Sequence, residues 1–174
     1  MTPVLRIAIA LGLACQALAL PLAGKSLAAQ KTGRLCDRPV TYDVVPPVDV
    51  PAELGRLSGV WKGTVVFAGG SEMCVAIVVK EAFEDGRVIL LFAWNIGTGG
   101  RGEIYNVVGL GEAPNWPNKV ENGELRIDSG TKWNGRHYYY VLALPTAARA
   151  DVIEGRFMTD NDAQPIVLHR EKVK

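Results

Sequence analysis

With two histidines, three cysteines and almost balanced charge, this chain has little with which to do chemistry. His137 and His169 stand far apart, and neither Cys-X-X-Cys nor His-X-X-X-His occurs, so no ordinary zinc ligand set is present and no metal or cofactor is expected. No Gly-X-Ser-X-Gly marks a nucleophile elbow. A hairpin could bring Asp128-Ser129 to His137, but that grouping alone assigns no catalytic residue. Asp160-Asn161-Asp162 lacks the glycine and terminal glutamate of a calcium loop and reads as a polar turn. Lys and Arg number 19 against 18 for Asp and Glu, with no basic stripe, which excludes nucleic acid as a partner. Helical periodicity is missing over any useful length, which excludes a parallel βαβ sheet.

Long apolar runs are equally scarce. Met1–Arg6 carries one basic residue, Ile7–Leu22 is apolar, and the small residues of AGKSLAAQ follow. That order is a secretory signal peptide cut after Ala28 or Ala29, with a membrane anchor as the runner-up that Pro21 and the short run disfavour. Cys15 would be a lipidation site only if the apolar run stopped there, and it continues. The chain then divides into a signal peptide at 1–29, an N-terminal arm at 30–56 and a β-barrel domain at 57–174. About 145 residues remain after cleavage, enough for one core, in a periplasmic or secreted protein with no later membrane span. Losing Arg6 and Lys25 leaves 17 basic residues against 18 acidic ones. Cys36 and Cys74 remain in a compartment where disulfides persist, so a bridge from arm to barrel is expected, two unpaired thiols being the alternative.

From Gln30 to Gly55 no periodicity is sustained, and Pro46, Pro47 and Pro51 favour an extended arm, with a short helical turn at Pro51–Leu57. Beyond it the pattern changes. In VWKGTVVF, Trp61, Gly63, Val65 and Phe67 share one face while Lys62 and Thr64 share the other, the alternation of a half-buried strand. Further strands are expected at Met73–Glu81, Val88–Trp94, Glu103–Leu110, Glu124–Asp128, Arg136–Leu144, Arg149–Met158 and Pro165–Glu171. Asp85-Gly86, Asn122-Gly123 and Asn134-Gly135 supply hairpin turns. Eight antiparallel strands in meander order make an all-β protein, an up-and-down barrel whose closure removes both edges, or else a two-sheet sandwich.

Gly59-Val60-Trp61 on the first of these strands and His169-Arg170 on the last resemble the calycin superfamily, the lipocalins and fatty-acid-binding proteins. VILLFAWN and VENGELRI are similar to small exported bacterial proteins of unassigned function. The calycin resemblance implies an eight-stranded barrel with Arg170 lying over Trp61 to close one end.

Inward candidates are Trp61, Val65, Phe67, Val88, Leu90, Phe92, Trp94, Leu125, Ile127, Ile153, Phe157 and Leu168, which either fill the lumen or line a small apolar cavity. Phe92, Trp94, Tyr105 and Trp116 cluster in sequence around a glycine-rich loop and are candidates for the rim of a ligand site. In His137-Tyr138-Tyr139-Tyr140 the first and third residues share one face and the second and fourth the other. Tyr139 joins the ligand candidates; the alternative makes these residues cross-strand aromatic pairs and barrel surface. GTGGRG at Gly97–Gly102 matches the spacing of a dinucleotide loop, but a strand follows where a helix N-terminus is needed. Arg101 within it remains a solvated cation or a contact for an anion. The sequence thus supports an exported, non-catalytic barrel that takes a small apolar or amphipathic ligand. The alternative is a packed barrel that binds a protein, as protease inhibitors with an N-terminal arm do.

Overall fold

The computed structural model describes residues 29–96, 103–107, 118–133 and 136–172. The proposed leader with Cys15, the glycine-rich loop with Arg101, and Asn134-Gly135 lie outside them. Eleven strands and one helical turn follow in order: β1 (Ala29–Leu35), β2 (Arg38–Val44), α1 (Ala52–Gly55), β3 (Gly59–Val66), β4 (Glu72–Ala82), β5 (Val88–Ile96), β6 (Glu103–Val107), β7 (Asn118–Glu121), β8 (Glu124–Trp133), β9 (Arg136–Ala143), β10 (Val152–Thr159) and β11 (Ala163–Arg170).

All pairs are antiparallel, and β3 to β11 form one sheet in the order β6-β5-β4-β3-β11-β10-β9-β8-β7. Strands β6 and β7 share one edge of β5: Val107 stands opposite Leu90, and Lys119 opposite Arg87. The two segments occupy one strand position between them, so the result is a nearly closed eight-stranded barrel. Val120 N–H donates to Gly86 O at 2.9 Å and seals this junction. Segment β7 was absent from the expected strands because its four residues, NKVE, are too few to show a period.

The lumen is filled by side chains. Trp61, Val65, Val75, Ile77, Leu90, Phe92, Leu125, Ile127, Leu142, Ile153, Ile166 and Leu168 are all within 2 % of full burial and belong to one cluster. Each such side chain contributes about 1.5–3 kcal/mol by leaving water. Gly63 is needed among them, since a Cβ there would stand 2.1 Å from Val167 O on β11.

A second apolar cluster lies on the outside of β3, β4 and β5. Residues Val75–Val79 are buried on both faces, which explains why this run shows no alternation. The cover is the arm, folded as the β1–β2 hairpin rather than as an aperiodic extended segment. Leu35, Val40, Tyr42 and Val44 press on Val60, Ala76, Val78, Leu91 and Ala93. The sequence concealed this hairpin because its turn is Cys36-Asp37, both at positive φ (45° and 66°), where Asn-Gly would be usual. Cys36 is bonded to Cys74 on β4, with Cα atoms 5.6 Å apart, which holds the unusual turn in place. At the hairpin's base Lys80, at a bulge in β4, meets Asp43 at 2.9 Å, and its carbonyl accepts Val45 N–H. That hydrogen bond from Lys80 holds the Asp43 carboxyl below its ordinary range.

Candidate functional site

The two ends of the barrel differ in chemistry. At the end where β3 begins and β11 finishes, Pro51 starts α1, whose Leu54, with Leu57 after it, plugs the lumen. Trp61 is fully buried behind them and donates Nε1–H to Leu57 O at 2.7 Å. Arg170 stands opposite Trp61 in the ladder, its guanidinium carbon 4.2 Å from the ring centroid. The same guanidinium donates to Ser58 O at 2.6 Å, to Arg56 O, and to Ala150 O at 3.2 Å, and it meets Asp151 at 3.2 Å. Burial lowers the Arg170 pKa, with Asp151 opposing that shift. One planar side chain therefore ties β11 to the segment before β3 and to the β9–β10 connection, a task that a single-point ammonium could not perform.

The opposite end is aromatic. Phe157 on β10 is the hub: its ring lies 5.8 Å from Tyr138, nearly parallel, 5.1 Å from Tyr140, and 5.9 Å from Phe67 edge to face. Tyr140 in turn lies 5.0 Å from Phe92. Phe92, Tyr140 and Phe157 are buried and form a floor, while Phe67, Trp94 and Tyr138 pack on the same core and are only partly buried. An apolar, aromatic surface of this kind accepts flat or amphipathic molecules by offset or edge contacts.

Burial pushes the Tyr140 phenol far above its usual pKa. The stability this implies is complete below about pH 10, the unfolded phenol's value, and is lost as pH rises above it. Tyr140→Phe is expected to remain folded further into alkali than the wild type, measured by circular dichroism between pH 9 and 12.

Of the residues proposed from sequence, Phe92 and Trp94 stand together here. Tyr105 takes the ladder position opposite Phe92. Its side chain, and the whole of Trp116, lie outside the described residues. Tyr139 departs from expectation: the pleat that turns Tyr138 and Tyr140 inward turns it out, onto the barrel wall. There it lies between the Arg126 guanidinium at 4.3 Å and the His137 ring at 5.6 Å. Sequence reasoning left Tyr138 and Tyr140 out of the site, although their shared face was legible.

On that outer wall His137 Nε2 meets the Asp128 carboxylate, which Arg126 approaches at 3.5 Å. His137 N–H donates to Asp160 at 3.2 Å. Asp162 accepts from Ala163 N–H at 2.8 Å and from Gln164 at 2.7 Å, so the carboxylates of this turn serve its own backbone and neighbours. Among the described residues no group of three His, Cys, Asp or Glu side chains could hold a metal ion, and no helix is long and apolar enough to cross a membrane.

No protein-family model matches the chain, and no curated protein matches it. Among solved structures it is similar to a de novo designed fluorescence-activating β-barrel, at 14% identity and a TM-score of 0.48, over 70% of this chain and 100% of the designed one.

Proposed function

We propose that this chain is an exported, calycin-like, non-catalytic barrel that binds a small apolar or amphipathic molecule at its aromatic end. The observation that carries this reading is the contrast between the ends: Arg170, Trp61 and α1 shut one, while the partly buried aromatic side chains of Phe67, Trp94 and Tyr138 stand at the other. Because large side chains fill the lumen, the ligand rests against Phe67, Trp94 and Tyr138, which lie over the buried Phe92, Tyr140 and Phe157, rather than deep among the strands. The Trp61–Arg170 stack supports the calycin assignment, and the Cys36–Cys74 bridge suits an oxidising, periplasmic or secreted setting. Tyr105 and Trp116 belong to the same proposed rim.

The test is titration with an uncharged naphthalene dye whose emission rises in apolar surroundings. Saturable binding is expected, with energy transfer from Trp94. Tyr138→Ala should weaken it roughly tenfold, the loss of one aromatic contact of about 1 kcal/mol plus buried area. Equal dye response in Tyr138→Ala and wild type would remove the aromatic end from consideration. The protein-interaction alternative would then stand, with the β1–β2 hairpin as the segment offered to a partner.

A further inference from the structure

A concave site lies outside the closed end, away from the aromatic floor. α1, the β4–β5 turn, the β7–β8 turn and the β9–β10 connection surround an open cleft of about 560 Å³, the scale of a small-molecule site. Leu54, Val120, Leu144 and Pro145 give it an apolar lining. Glu53 on α1 and Glu84 on the β4–β5 turn add two exposed carboxylates from separate elements, and neither has an ion-pair partner among the described residues. Asp85 pairs with Arg87 at 2.6 Å, while Arg56, the cation of the lining, gives its Nε–H to the neutral Pro145 O at 2.9 Å and keeps its charge.

Gly86 has φ +85°, and a Cβ there would stand 2.6 Å from Val120 O, so the β4–β5 turn packs its backbone directly against β7, with Val120 N–H donating to Gly86 O at 2.9 Å. Arg56, whose carbonyl receives Arg170, joins the cleft to the barrel closure itself. Three carboxylates, of Glu53, Glu84 and Asp85, against the one Arg56 guanidinium leave the lining net negative beside its apolar part, which favours one kind of guest: an apolar stem to displace water from Leu144 and Val120, and a positive head to meet Glu53 and Glu84.

We propose that this cleft binds a small organic cation, an alkyl- or arylammonium ion. The experiment adds hexylammonium, hexanol and hexanoate in turn to the isotope-labelled, disulfide-bonded protein and follows the amide signals of Gly86, Gly123 and Leu144. Hexylammonium is expected to shift them saturably, with hexanol weaker and hexanoate weakest. The variant carrying Glu53→Gln and Glu84→Gln, both at exposed positions that leave the fold intact, should bind hexylammonium roughly five- to tenfold less well, near the level of hexanol. Equal binding of the three probes, no shift at these amides, or an ammonium preference that survives the double substitution would each overturn the proposal. Shifts confined to Phe67 and Trp94 would also overturn it, by assigning the probe to the aromatic end.

Discussion

Replacing Cys36 and Cys74 together with alanine is expected to lower unfolding stability by about 4 kcal/mol, the chain-entropy value for closing a loop of this length. The bridge spans a sequence separation of 38 and cross-links the hairpin turn to β4 of the barrel. Two effects should appear together in urea denaturation: a lower midpoint, and a steeper dependence on denaturant because the unlinked unfolded chain exposes more surface. The barrel should keep its far-ultraviolet spectrum. Hydrogen exchange should rise mainly in β1 and β2, whose remaining attachments are the apolar cluster around Leu35 and Tyr42 and the Lys80 contacts. A loss below 1 kcal/mol would mean that the hairpin is held by packing alone.

Arg170→Ala is expected to cost about 3 kcal/mol. Three carbonyls, of Arg56, Ser58 and Ala150, lose a charged donor, and Trp61 loses the cation over its ring. Arg170→Lys should recover little of this, because one ammonium cannot reach three divergent acceptors. Trp61 emission should shift as the closed end loosens, while dye binding at the other end changes less than twofold. Unchanged stability and unchanged Trp61 emission would contradict the role given to this pair.

Much of the barrel was legible because its strands alternate. Trp61, Val65, Leu90, Leu125, Ile153 and Leu168 each follow the period of two, and all are buried in the lumen. Asn122-Gly123 announced its turn for a local reason, since both residues take positive φ, at 52° and 79°. The β1–β2 hairpin was not legible, because a turn at Cys36-Asp37 is chosen by a bridge to a residue far along the chain. Tyr140 and Phe157 show the same limit at the candidate site. Their alternation gives a face, but only the pairing of β9 with β10, Tyr140 opposite Phe157, makes them neighbours. The Glu53 and Glu84 cleft has no sequence signature at all, since α1 and the β4–β5 turn meet through barrel closure.

Native mass spectrometry of the protein, purified without denaturant from the cells that express it, tests the central claim most directly. The account predicts a discrete additional mass that is lost on gentle activation and is reduced in Tyr138→Ala. A bare mass equal to the disulfide-bonded chain, in wild type and variant alike, would contradict a ligand-carrying barrel and point to a packed one that works through a protein partner.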